Sequence, residues 1–494
     1  MRRRGRAALV ALALPLFVLR TSAGRAPSGP CVRSFGHCVL PVAASGPEGA
    51  RPAPRTAEAP TPGRPSRDTE RHVPYGPGLR FDDEAERPLA ASVYSLPSAF
   101  FTADAALPFL AAVRAAAPAR TLLVLIDGPL RNALAARARA LHLYLLDTHG
   151  RPYSPWPRDP FSFVRTPKGS VLVLVRPNLQ PGREADAQLG PELVRDLPPA
   201  VDRAWGGVTW AAAPVPFHNG QVLLTRGAAW ITLHTLEPRI LALLGLTRVP
   251  VESFATAAGI ERYVTAARRA ADELAALYGR PARFVHPLPA PDMPLAAQSE
   301  LMARLGGGAG YDLDSLVTFL PLHDGAEQAL VADLAAGRAL LPVIERDGLR
   351  ATYDLAPAGD ALTAALAAAQ ATPRATALAS FLDLVAGHLA AQGLKVRRLP
   401  LLRVPLALLR DRRGLEDAPA DAELLLTWNN VVAETRAGGV RAEGFAMRLP
   451  AGDRAARAAF AAAGVKLDLF PPLVHSVVLN GGYRCASNHV RAAG

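Results

Sequence analysis

Four short segments of the 494-residue chain hold side chains able to do chemistry. Trp156-Pro157-Arg158-Asp159-Pro160-Phe161 brings a carboxylate beside a guanidinium and an indole. Phe217-His218-Asn219-Gly220-Gln221 offers an imidazole, which titrates near neutrality and can carry protons. Gly310-Tyr311-Asp312-Leu313-Asp314 sets two carboxylates two positions apart. Leu479-Asn480-Gly481-Gly482-Tyr483-Arg484-Cys485-Ala486-Ser487-Asn488 presents a thiol after paired glycines, which let backbone approach a ligand closely. Each has a plainer alternative. Asp159 could pair with Arg158 or cap a turn, Trp156 could be a packing anchor, and Cys485 could fill space as a small buried hydrophobe. His323, His475 and His489 lie near these segments, where a histidine is more often structural than catalytic.

The segments must be held by the elements they run into. Apolar runs predict strands over 122–127, 162–165, 170–175, 221–225, 229–234, 283–288, 316–320, 328–333, 396–402, 423–432, 465–470 and 476–479. Ala- and Leu-rich stretches with helical spacing predict helices over 103–117, 258–278, 356–370, 374–392 and 452–463, with Gly393 as a C-terminal cap. Simple alternation of strand and helix would give a doubly wound sheet. Pairs of short strands before a helix suggest ββαβ-like units around an axis instead. No clean repeat is visible, so periodicity leaves both open.

Taken in order, the four segments resemble the guanidino-group-modifying superfamily, in particular agmatine deiminases and bacterial-type peptidylarginine deiminases. Trp156-Pro157-Arg158-Asp159 is similar to its Trp-x-Arg-Asp, Asn219-Gly220 to its loop before a strand, Asp312-Leu313-Asp314 to its His-x-Asp, and Gly481 to Cys485 to its terminal Gly-Gly-x-x-Cys. Trp428-Asn429-Asn430 resembles its Tyr-x-Asn. The resemblance spans about 90–494 and implies an α/β pentein, a five-bladed propeller of ββαβ units with its site in a central channel. It implies that Asp159 and Asp314 hold a planar guanidinium through paired hydrogen bonds, with Trp156 and Asn219 beside the substrate. It implies that the Cys485 thiolate attacks the guanidinium carbon, expels ammonia or an amine, and leaves a thiouronium for water to hydrolyse. It calls for no cofactor and no metal. The partner it implies is a small guanidinium compound or an arginine-containing peptide.

Two departures stand beside the matches. Asp312 occupies the position of the family's catalytic histidine, and an Asp needs a strongly raised pKa to shuttle protons there. His218 stands where the family usually has an acid before the Asn loop. A compensated swap would give His218 the proton transfer and Asp312 a substrate-holding role. The alternative is a catalytically impaired protein that binds a cationic ligand.

Composition sets the outer bounds. Half of the residues are hydrophobic and 20% are charged, enough to bury a sizeable core. The net charge of +12 is carried almost wholly by arginine and is spread thinly, with no basic block interleaved with aromatics, which argues against nucleic acid. Arg2, Arg3, Arg4 and Arg6 before the apolar stretch 7–19 read as an export signal over 1–24, with no membrane span after cleavage, and hence a periplasmic or extracellular protein. Residues 25–89 read as a disordered Pro/Gly/Arg-rich linker in which Cys31 and Cys38 either pair or stay free, leaving 90–494 as the catalytic domain. No His, Cys and Asp spacing matches a metal site.

Overall fold

The run Val171–Val175 is apolar at every position and buried at every position, as a central strand covered on both faces must be. It pairs antiparallel with Phe161–Arg165 and parallel with Thr209–Ala212, and the helix Leu189–Asp196 crosses between the parallel partners. In this computed structural model the described residues are 32–34, 37–39 and 71–492, apart from 77, 83–84, 177–182, 218, 323–325, 412–414, 416–417 and 419–420.

The same antiparallel-then-parallel order recurs in five sheets among the residues after 70. In the second unit Leu223–Leu224 pairs antiparallel with Ala229–Ile231, which pairs parallel with Ala282–Phe284 beyond two helices, Leu233–Leu244 and Ala257–Tyr278. In the third, Val317–Pro321, Glu327–Asp333 and Lys395–Pro405 follow the rule, with Glu423–Thr427 added antiparallel at the edge. The fourth is Val432–Arg436, Gly439–Phe445 and, after the helix Pro450–Ala462, Val465–Phe470. The fifth joins the two ends of the fold: Ser487–Arg491 pairs antiparallel with Leu89–Leu96, which pairs parallel with Thr121–Ile126 across the helix Ala103–Ala116. The fold is therefore built from ββαβ-like units rather than one doubly wound sheet.

Helix boundaries follow local chemistry. Thr256 caps Ala257–Tyr278 by accepting from the Gly259 N–H at 3.1 Å, and Thr372 caps Pro373–Ala391 by accepting from Ala375 at 3.1 Å. Gly393 follows that second helix at φ 86°, a left-handed position that suits glycine. Between the fourth and fifth units Tyr483 is fully buried, packed edge-on against Phe109 and Phe445, and its hydroxyl donates to Glu443 at 2.8 Å. Glu443 also holds the buried Arg120 guanidinium with a bond of 2.6 Å. Burial alone would raise the Glu443 pKa, but Arg120 beside it holds it below the usual carboxylate range.

Four sequence expectations need correction. The run 476–479 lies in a helix, Val474–Val478, after Pro471 and Pro472; its two adjacent buried valines both face the core, which a single-faced strand would not allow. The run 423–432 breaks at Trp428–Val431 into strands of two different units. Strand 229–234 stops at Ile231, because Thr232 and Thr235 form a reciprocal capping box that starts a helix. The ordered fold also begins ahead of residue 90. Arg71 pairs with Asp202 at 2.9 Å, Arg80–Phe81 extends the first sheet, and Phe81 is 2% exposed. Residues 1–24 lie outside the described residues, as do Cys31 and most of the linker; 32–34 and 37–39 pair antiparallel. Among the described residues no helix is long and apolar enough to cross a membrane.

Candidate active site

The sequence segments singled out above share one structural address. Asp159 precedes Phe161–Arg165, Asn219 precedes Leu223–Leu224, Asp314 precedes Val317–Pro321, Asn430 precedes Val432–Arg436 and Cys485 precedes Ser487–Arg491. Each is thus at the entrance to the first strand of its unit. These entrances touch in a closed circuit. The Asn219 amide donates to the Arg158 carbonyl at 2.6 Å and accepts from Ser162 Oγ at 2.8 Å. Gln221 Nε2 donates to Asp312 Oδ1 at 2.6 Å, and Asp314 N–H donates to the Gly220 carbonyl at 3.0 Å. Thr318 Oγ1 donates to the Asn429 carbonyl at 2.6 Å. Asn430 Oδ1 accepts from the Arg484 and Cys485 N–H groups at 2.8 and 3.2 Å. Asn488 Nδ2 closes the circuit by donating to the Phe161 carbonyl at 2.8 Å.

A pocket opens on one side of this circuit, lined among others by Trp156, Asp159, Asp312 and Cys485, with about 670 Å³ of space including its mouth. Asp312 precedes the single helical turn Leu313–Leu316, which carries Asp314. One donor atom each from Asp312, Asp314 and Cys485 falls within 4.8 Å of the other two. Cys485 is 4% exposed and its Sγ points a proton toward Asp314 Oδ2 at 3.6 Å, while Asn430 Nδ2 donates to the same sulfur at 3.1 Å. Asp314 is fully buried: its Oδ2 accepts from Arg484 at 2.8 Å, and its Oδ1 has no hydrogen-bond partner. The Gly-Gly pair is required by close approach. A Cβ on Gly481 would sit 1.9 Å from Trp156 Nε1, and one on Gly482 would sit 2.4 Å from Asn430 Cβ.

Electrostatics follow from crowding three acids and a thiol in a dry place. Burial pushes the Cys485 thiol well above its ordinary pKa, and Asp314, Asp312 and Asp159 push it further against the pull of the Asn430 amide. Burial also lifts Asp312 well above the carboxylate range, helped by Asp314 and Asp159 and opposed by Gln221. Asp314 is raised by burial despite the charge of Arg484. Burial and mutual repulsion thus favour the protonated forms of Asp312, Asp314 and Cys485. Arg176 is shifted the opposite way, down to about 10, by its own burial.

Of the residues expected at a site, Trp156, Asp159, Asp312 and Cys485 meet at this pocket, with Asp314 immediately behind them. Asn219 does not: its amide is taken up by backbone and Ser162, and it lines a separate cavity of about 520 Å³ with Arg158, Arg484 and His489. His489 bonds Ser92 and Ser487 and is pushed well below its usual pKa by burial and by Arg120, Arg158, Arg491 and Arg484. His475 packs on Phe100. His218 and His323 lie outside the described residues, among which no histidine lines the Cys485 pocket. Asp159 is not paired with its neighbour alone, since Arg183 donates to its Oδ2 at 2.7 Å and lies 5.0 Å over the Trp156 ring. Arg183, Arg484 and Gln221 were not visible as site residues; adjacency of Arg484 to Cys485 was the one available hint. The sequence spacing offered no metal set; in the fold Asp312, Asp314 and Cys485 stand close enough to share a cation, and Arg484 already supplies positive charge to Asp314.

The chain is similar in structure to an agmatine deiminase of Enterococcus faecalis, with 12% identity and a TM-score of 0.47 over 84% of this chain and 97% of that one. A structural-genomics target assigned as an agmatine deiminase gives 12% identity and a TM-score of 0.49 over 84% and 97%. A structure assigned as a peptidyl-arginine deiminase gives 11% identity and a TM-score of 0.47 over 84% and 99%. No family model matches the chain. No curated protein matches it either.

Proposed function

We propose that the pocket is a guanidinium site in which Cys485 is the nucleophile, set at the centre of a five-bladed pentein-like propeller. The observation that carries this reading is the convergence of Asp312, Asp314 and Cys485 within 4.8 Å, beside Asp159 in one pocket. Five strand entrances touching in a closed circuit support the propeller.

A planar cation suits a cluster of acids that would otherwise stay protonated. Its charge favours the ionised forms of Asp314 and of the thiol. The Sγ–H proton passes to Asp314 Oδ2, toward which it already points, and the sulfur bonds to the guanidinium carbon. Asp312, kept protonated by its surroundings, gives its proton to a departing nitrogen, which leaves as ammonia. The Asp312 carboxylate then takes a proton from water as its oxygen attacks the thiouronium carbon. The C–S bond breaks as the sulfur takes the hydroxyl proton of the intermediate, the urea is released, and Asp314 gives its proton to solvent. Asn430 steadies the sulfur throughout.

Cleavage is tested by ammonia release from guanidine substrates with the wild type and Cys485→Ser. Turnover in the first and none in the second supports the reading; equal turnover in both rejects it. One observation favours a second reading, a binding protein without turnover: no described histidine lines the pocket, and the thiol is held protonated. Guanidine binding with no ammonia from either protein would select it. Export of the protein is part of the proposal and rests on the basic and apolar start of the chain.

A further inference from the structure

Besides its acids the pocket has an apolar wall of Leu406, Leu415, Leu425, Val478 and Leu479, each between 1% and 6% exposed. They come from four separate pieces of chain: the turn after Lys395–Pro405, the loop position Leu415, the strand Glu423–Thr427, and the helix Val474–Val478 with the terminal loop. The wall is thus a product of the tertiary fold and not of one greasy segment.

One polar neighbour, Asn480, is already engaged. Asn480 sits at the wall with a left-handed φ of 64°, and its Oδ1 accepts from Leu425 N–H at 3.0 Å while its Nδ2 donates to the Glu423 carbonyl at 2.9 Å. The Asn480 amide is therefore committed to the wall itself. Among the described lining residues there is no Lys, Arg or His, and no carboxylate other than Asp159 and Asp312. Arg374 lies over the Tyr311 ring at 5.4 Å and pairs with Asp421; it does not line the pocket.

A ligand whose guanidinium meets the acids can lay its substituent along this wall. Among the described lining residues of the wall, the α-carboxylate and ammonium of free arginine would find no partner of opposite charge, and neither would the distal ammonium of agmatine. A charged group desolvated without a partner is strongly disfavoured, whereas an alkyl chain gains by leaving water. Resting on the guanidinium reading above, we infer that the pocket selects monocationic guanidines with an uncharged aliphatic N-substituent. Turnover of such a compound would give the N-alkylurea and ammonia.

The test is calorimetric titration of the full chain, wild type and Cys485→Ser, with butylguanidine, agmatine, arginine, N-acetylarginine amide and butylammonium. The expected result is butylguanidine tighter than agmatine and arginine by about tenfold or more, the order expected when a charged head is left unpaired. N-acetylarginine amide should fall behind butylguanidine, because the wall gives its amides nothing to bond. Agmatine, arginine or the blocked arginine matching or exceeding butylguanidine would overturn the inference while leaving the guanidinium site intact. Failure of every guanidine to bind, or butylammonium binding as tightly as butylguanidine, would overturn the guanidinium site and this inference with it.

Discussion

Asp312 is where chemistry and stability pull in opposite directions. Its native pKa is raised above the unfolded value, so the folded state holds a proton that the unfolded state gives up. Its contribution to stability is therefore fully present below the unfolded pKa and is lost as pH rises through the native one. Asp312→Asn removes that loss. The variant should melt a few degrees above the wild type at about pH 8 and close to it at about pH 4, while turnover falls by about 100-fold or more. Calorimetric melting across pH checks the first part, and a variant less stable at high pH would contradict it. Asp312 was legible as a candidate because Asp312-Leu313-Asp314 resembles a His-x-Asp segment and leads into a strand. Its proton affinity was not, since that depends on burial and on Asp314 and Asp159 across the fold. Asn219 shows the same limit from the other side. Its type and place in the chain were right for a site, yet it faces away from Cys485 because its amide bridges Arg158, Phe161 and Ser162.

The terminal loop shows how an element fixes a reactive group. Asn430, at the entrance to one unit, accepts two N–H bonds from the loop and donates to the Cys485 sulfur. Asn430→Ala should leave the thiol less well placed and the buried Cys485 N–H unpaired, at a cost of about 1–3 kcal/mol where water does not reach it, while the Arg484 N–H keeps its bond to the residue 430 carbonyl. Gly482→Ala would drive a methyl into Asn430 itself, and turnover should drop by at least about tenfold with substrate affinity changed less. Steady-state kinetics separate the two effects; a pure rise in KM would show that the loop serves binding alone. At this scale the sequence was informative where periodicity was long, as in Ala257–Tyr278 and Pro373–Ala391. It was weakest for short strands. Leu89–Leu96 and Ser487–Arg491 escaped notice because they pair with each other from opposite ends of the fold.

Over the whole molecule, the two ends of the fold meet in one sheet, and Arg120 ties that sheet to the fourth unit through Glu443 and Glu434. Both acids are fully buried, so removing one charge strands another. Glu443→Gln should cost about 3–5 kcal/mol, read by denaturant unfolding. The N-terminal edge contributes too. A chain starting at Arg71 should melt like the full one, whereas a chain starting at residue 90 loses Phe81 and the Arg71–Asp202 pair and should melt clearly lower. Equal melting of the two would show that 71–89 is dispensable.

The account turns on whether Cys485 attacks a guanidinium carbon. The direct measurement is acid quenching of the full chain during reaction with butylguanidine, followed by intact mass and peptide mapping. The account predicts a covalent amidino adduct on Cys485, absent from Cys485→Ser and absent from Cys31 and Cys38. An adduct on another residue, or ammonia release at the wild-type rate from Cys485→Ser, would contradict it.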